Sequence, residues 1–166
     1  MRKLSNARTK ALTKVWRNPI YFLAFGFGAG LIKRAPGTYG TLVAIPLYCL
    51  LSYWSDTTYI ITLGFGFLIG VYICQTVCDE LGLEDYPGIV WDEIVGYLTT
   101  MFLLPVQPVW IILGFVLFRF LDIFKPQPLG WVDQHISGGW GIMLDDLLAG
   151  VIACAILHLL KWGLNT

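Results

Sequence analysis

Charge is scarce in this chain. Lys, Arg, Asp and Glu make up 13% of its 166 residues, about half the share of a soluble globular domain. Hydrophobic residues reach 57% and the mean hydropathy is +0.69, which places the chain in the membrane class rather than the soluble one. Metal-ligating groups of the soft kind are also scarce. His135 and His158 are the two histidines. Cys49, Cys74, Cys78 and Cys154 all lie in apolar runs. Cys74 and Cys78 are four apart on one helix face, but no histidine or further cysteine accompanies them and a zinc site needs more ligands, so the cysteines read as small buried hydrophobes. His158 reads as an interfacial residue of the last apolar helix, and His135 has no evident partner for a base or ligand role. The N-terminus lacks a cleavable signal pattern, because its charged stretch is long and its apolar stretch is broken by Gly26, Gly28 and Gly30. There is no internal repeat or low-complexity tract.

What charge there is falls in blocks. Arg2, Lys3, Arg8, Lys10, Lys14 and Arg17 form a basic arm over residues 1–17, suited to anionic lipid head groups. Beyond it the chain offers no basic surface for nucleic acid, so no nucleic-acid partner is expected. Residues 18–166 read as a single membrane-embedded domain. The expected architecture is an all-α, polytopic membrane bundle of about five spans: 40–54, 59–77, 90–105, 108–124 and 146–162. A short re-entrant or interfacial helix over 19–32 precedes them, since that apolar run is too short to cross. Basic residues flank it on both sides, Arg17 before and Lys33-Arg34 after. The positive-inside rule then puts the loops 33–39, 79–93 and 122–146 on the cytoplasmic face.

The chemistry concentrates in those loops. Asp92-Glu93 and Asp145-Asp146 each open an apolar helix, where negative charge meets the positive end of the helix dipole at a gain of about 0.3–1 kcal/mol. With Asp122 they make five carboxylates ending three helices on one side. Two like charges about 4 Å apart repel by ~4 kcal/mol at an effective dielectric near 20, so converging helix ends call for a divalent cation. An all-oxygen ligand set of Asp92, Glu93, Asp122, Asp145 and Asp146 points to Mg2+ rather than zinc. Arg119, Asp122 and Lys125 are spaced three apart, on one helix face. Arg119 and Lys125 read either as structural partners of Asp122 or as groups that grip a phosphate. The turn Lys33–Thr41, with Arg34, Gly37 and Thr38, has the hydroxyl and backbone amides to bind an anion at a helix start, and by itself is also an ordinary connector.

Other phosphotransfer motifs are missing. No cysteine is followed six residues later by arginine, no D-x-D occurs, and neither the histidine–arginine motifs of the type 2 phosphatidic acid phosphatases nor the D-G-x-x-A-R of the CDP-alcohol phosphatidyltransferases is found. The strings APGTYGT (35–41), GIVWDEIVG (88–96), FRFLDIFKPQP (118–128) and GGWGIMLDDLLAG (138–150) resemble those of the phosphatidylglycerophosphatase A family, in the same order and spacing. The resemblance covers about residues 18 to 160. It implies a magnesium-dependent hydrolase of the bacterial inner membrane that removes the terminal phosphate of phosphatidylglycerophosphate. Its active site would face the cytoplasm. Read with the resemblance, Asp92, Glu93, Asp122, Lys125, Asp145 and Asp146 are the candidate catalytic residues. Arg34, Gly37, Thr38, Arg119 and Lys125 are the candidate substrate-binding ones. The competing reading is a small transporter or channel with the carboxylates as a cation path, although transporter sites usually sit at the bilayer midplane rather than at helix ends. The oligomeric state is not legible in the sequence.

Overall fold

The computed structural model describes residues 2–127 and 129–164, apart from the side chains of residues 2, 3, 5, 6, 132 and 133. Outside that description fall Met1, Arg2 and Lys3 as side chains of the basic arm, Pro128 of the proline-rich stretch, and the last two residues of the expected domain. The described residues are helical and contain no strand. Eight α-helices follow in order: α1 Arg2–Lys14, α2 Pro19–Ala24, α3 Pro36–Leu51, α4 Asp56–Leu81, α5 Trp91–Thr100, α6 Pro108–Phe124, α7 Leu129–His135 and α8 Gly138–Gly163. A 3-10 segment, Gly26–Leu31, joins α2 to α3.

Two helices, α4 and α8, are long and apolar enough to cross a membrane, each of 26 residues, about 39 Å at 1.5 Å per residue. The other expected spans are shorter than that test requires. α3 has 16 residues and α6 has 17. The stretch 90–105 yields only the 10-residue α5, about 15 Å long. The run 19–32 is no single helix either. Phe27 and Gly28 take positive φ of 58° and 101°, which breaks the helix into two short pieces.

Short as it is, α5 is the centre of the molecule, enclosed by α3, α4, α6 and α8. Every residue from Ile94 to Thr100 is buried. A helix that ends inside a bundle leaves its last carbonyls without partners, and Tyr59 of α4 meets one of them, while two further tyrosine hydroxyls tie the chain just beyond α5 and α5 itself to neighbouring carbonyls. Tyr59 Oη donates to Leu98 O at 2.8 Å. Tyr48 Oη donates to Leu104 O at 2.8 Å, and Tyr97 Oη reaches Ile111 O at 3.1 Å. At its other end, Trp91 Nε1 donates to Gly66 O of α4 at 2.9 Å.

The basic arm is a structured helix docked on the bundle. Ala7, Ala11 and Val15 are buried, at the four-residue spacing of one helix face. Lys10 Nζ donates to the Glu80 carbonyl, Lys14 pairs with the Glu80 carboxylate, and Tyr21 Oη donates to the same carboxylate at 3.1 Å. Two of the arm's cations are thus held by α4.

The two ends of the bundle differ. One carries the acids described below. At the other, Ser52, Asp56, Leu103, Pro105 and Lys161 line a common small cavity, so the links after α3 and α5 meet the end of α8. Between the ends, large apolar side chains are exposed along α4 (Ile61, Phe65, Leu68, Tyr72) and α6 (Val109, Ile112, Val116, Phe120).

Candidate active site

Three helices bring the acids together. Asp92 and Glu93 stand in the first turn of α5. Asp122 lies in the last turn of α6, and Lys125 caps that helix in a left-handed conformation with φ 44°. Asp145 and Asp146 do not open their helix as expected. α8 starts at Gly138, so the pair sits about two turns inside it. The glycines Gly138, Gly139 and Gly141, within the expected loop 122–146, form the first turn of α8 itself, held to α4 where Gly139 N donates to Gln75 Oε1 at 2.7 Å. Asp145 and Asp146 are buried as a result.

α5 and α8 approach each other closely at Gly96 and Gly150. A Cβ on Gly150 would overlap the Gly96 carbonyl, and one on Gly96 would lie 2.8 Å from the Asp146 carbonyl and 2.6 Å from the Phe118 ring. Gly96 is one helical turn beyond Asp92, and Gly150 one turn beyond Asp146. The absence of both side chains therefore sets the separation of the two acid-bearing turns.

Two carboxylate groups result. Asp92, Glu93 and Asp146 each offer an oxygen within 4.8 Å of the others, and so do Asp122, Asp145 and Asp146. Asp146 is common to both. Arg119 Nη1 lies 2.5 Å from Asp122 Oδ2 and 3.6 Å from Glu93 Oε1. Lys125, in its left-handed cap position, pairs with Asp145, while Arg119 holds Asp122. Five carboxylates thus face two cations. Asp92 Oδ1, Glu93 Oε2 and Asp146 Oδ2 are buried and have no hydrogen-bond partner among the described residues. Leaving one buried charged acceptor unmet costs more than the ~1–3 kcal/mol of a neutral one. These three oxygens belong to one group and are hard donors. The residues present fit a divalent cation of the magnesium type.

The acids line a cleft of about 370 Å³. Lys125 is in its wall, with Glu84 and Asp85 from the α4–α5 loop and Gln134 and His135 from α7. Arg119 lies behind the acids, 13% exposed. Gly37 is buried in the first turn of α3, where a Cβ would overlap Glu93 Oε1 and lie 2.9 Å from Arg119 Nη1. Thr38 N instead donates to Ala35 O at 3.0 Å. Arg34 is exposed, and neither it nor Thr38 lines the cleft. Of the expected phosphate grip, the structure brings Lys125 into the cleft, Gly37 and Arg119 against its acids, and leaves Arg34 and Thr38 outside. His135 was not singled out by sequence reasoning. It sits on the unexpected α7, its ring stacked on Trp131 at 4.5 Å with Nδ1 2.8 Å from Trp131 O. The four-residue spacing of Trp131 and His135 was the available signal.

The model of one protein family, phosphatidylglycerophosphatase A, matches residues 22–161. The chain belongs to this family. The phosphatidylglycerophosphatase A of Escherichia coli (strain K12) is 43% identical over 151 residues, covering 89% of this chain and 88% of the relative. That of Haemophilus influenzae (strain Rd) is 41% identical over 147 residues, with 87% and 90% covered. A Bacteroides thetaiotaomicron protein, provisionally named a phosphatidylinositol-3-phosphatase, is 33% identical over 148 residues, with 82% and 90% covered. No solved structure matches the chain. The family match contains all five acids with Arg119 and Lys125, and begins after α1.

Proposed function

We propose that this protein removes the terminal phosphate of phosphatidylglycerophosphate, releasing phosphatidylglycerol, with Mg2+ as its cofactor. The observation that carries the reading is the convergence of five carboxylates from α5, α6 and α8, three of their oxygens buried without a partner, in a chain of this family. Asp92, Glu93 and Asp146 would hold one cation, and Asp122 and Asp145 extend the set. When bound, the cation supplies charge neutralisation and polarisation of the phosphate oxygens.

The chain's own groups do the rest. Lys125 reaches a phosphate oxygen from the cleft wall. Arg119 holds Asp122 and Glu93 in place from behind. An acid of the cluster, with Asp122 or one of the Asp145-Asp146 pair as candidates, accepts a hydrogen bond from a water and aims it at phosphorus, opposite the leaving glycerol oxygen. The water oxygen bonds to phosphorus as the ester P–O bond breaks, and a proton passes to the departing alkoxide. Gly37 leaves Glu93 room to lie flat against α3.

The lipid tails stay in the bilayer. We read residues 18–166 as one multi-pass domain of about five membrane segments, α5 being a half-length one. It lies in the bacterial inner membrane with residues 1–17 and the cleft on the cytoplasmic side. The exposed apolar faces of α4 and α6 and the basic flanks of α2 support this placement. The family match gives no support to the cation-transporter alternative.

The test is phosphate release by purified protein from phosphatidylglycerophosphate, with Mg2+ and with a chelator, beside phosphatidylinositol 3-phosphate. Metal-dependent release from the first lipid is expected. Release from the inositol lipid alone, or none from either, would overturn the assignment.

A further inference from the structure

A second recess lies away from the acids. It has about 200 Å³ and is formed by α1, the end of the 3-10 segment and the α4–α5 loop, with Arg8, Lys33 and Tyr86 among its walls. Its charged wall residues are both cations. Arg8 Nη2 touches the Leu31 carbonyl at 3.5 Å, a distance at the limit of a hydrogen bond. That leaves most of the five guanidinium donors for another acceptor. Lys33 makes no ion pair among the described residues. Tyr86 is half-buried and shares the wall of the recess with Arg8. Leu4 and Ile32, 50% and 40% exposed, form an apolar rim.

The recess adjoins the acid cluster through one turn of chain. Pro36 is in its wall, and the next residue, Gly37, packs on Glu93 and Arg119. Consecutive Cα atoms are about 3.8 Å apart, so the basic recess and the carboxylates flank the first turn of α3. One suits cations and the other anions.

We infer that Arg8, Lys33 and Tyr86 form a second anion site that takes the phosphodiester of a lipid head group while its terminal monoester lies among the carboxylates. The inference rests on the phosphatase reading and extends it. A lipid carrying two phosphates is held at two points, one metal-assisted and one basic, with the apolar rim against its acyl ester end. Binding at the diester acts on ground state and transition state alike, so it lowers KM without raising kcat.

The test uses Arg8→Gln with Lys33→Gln in the full chain. Short-chain phosphatidylglycerol, which has the diester and no monoester, is titrated against wild type and variant, beside inorganic phosphate. The variant should bind the lipid about tenfold or more weakly, the loss of charge-assisted hydrogen bonds, and inorganic phosphate nearly as well as before. Unchanged lipid affinity overturns the site. Equal loss for both ligands also overturns it, because it shows a site for free anions. In turnover, KM for phosphatidylglycerophosphate should rise about tenfold at constant kcat, with p-nitrophenyl phosphate hydrolysis unaffected. The single change at exposed Lys33 gives the same readings if the double variant is unstable. The two ideas separate cleanly. Weakened lipid binding without any wild-type turnover leaves the recess standing and removes the phosphatase. Normal turnover untouched by the variant does the reverse.

Discussion

At the residue scale, the site is defined by buried oxygens that lack partners. Asp92 Oδ1 and Asp146 Oδ2 are two of them, within the group of three carboxylates whose oxygens lie 4.8 Å or less apart. Repulsion at that spacing is roughly 3 kcal/mol per pair at an effective dielectric near 20. Asp92→Asn or Asp146→Asn removes one charge at constant volume, and two effects of opposite sign follow. Phosphate release should fall about 10²-fold or more, as when a main electrostatic group is lost. The melting temperature in chelator should hold or rise, because a repelling charge is gone. A fall in both would mean that the pair is structural. The two cations can be told apart in the same way. Lys125 pairs with Asp145, so Lys125→Met alone removes a cation beside that carboxylate, whereas Lys125→Met with Asp145→Asn removes the opposing charge as well. If Lys125 grips substrate, Lys125→Met lowers turnover beyond what Asp145→Asn does alone, and the double variant is worse than either while its melting temperature recovers; a double-mutant cycle reads this directly. All five acids and both cations were legible in the sequence, because charge is costly in an apolar chain and its positions are few. Of their pairings, Arg119 with Asp122 was among those expected and is found, whereas Lys125 with Asp145 was not foreseen; the left-handed cap at Lys125 comes from how the chain leaves α6.

At the element scale, glycine contact and helix length decide whether the acids meet. α5 and α8 pack backbone to backbone at Gly96 and Gly150, one turn from Asp92 and Asp146. Gly150→Ala places a methyl on the Gly96 carbonyl. Overpacking of that kind costs about 1–3 kcal/mol, so a lower melting temperature is expected. Activity should fall by at least about tenfold, because the acids of α5 and α8 are pushed apart. The two helices are the lever: Gly163→Ala, at the end of α8 with open space around it, should change neither. The sequence foretold α6 at its observed bounds, with Pro108 at its start, and the middle of α4, which begins earlier than expected, at Asp56, where Ser55 caps Thr58 N. It overstated α5, because an apolar run says that a stretch is buried and not whether it is helical throughout. Residues after Thr100 leave the helix, and tyrosine hydroxyls from other helices satisfy the freed carbonyls. It also missed the start of α8, since Gly138, Gly139 and Gly141 read as a turn until packing on α4 is known. α7 was hidden among residues read as loop.

For the whole molecule, the two ends of the bundle differ in kind, and that difference is testable. Glu84 and Gln134, far apart in sequence, line the same acidic cleft. The links after α3 and α5 come together at the other end with Lys161. Two helices about 39 Å long run between these ends, enough to cross a hydrocarbon core of about 30 Å. The lysines and arginines before α2 and α3 argue for the cleft end inside. The check is single-cysteine labelling in a background with Cys49, Cys74, Cys78 and Cys154 replaced. Glu84→Cys and Gln134→Cys, both at exposed positions, should react with an impermeant maleimide only after the cytoplasmic face is opened. Gln107→Cys, exposed in the link before α6, should react in sealed cells. Labelling of 84 and 134 from opposite sides would break the cleft itself. Labelling of both from outside would keep the cleft and invert the chain, and with it the compartment from which the lipid phosphate is removed.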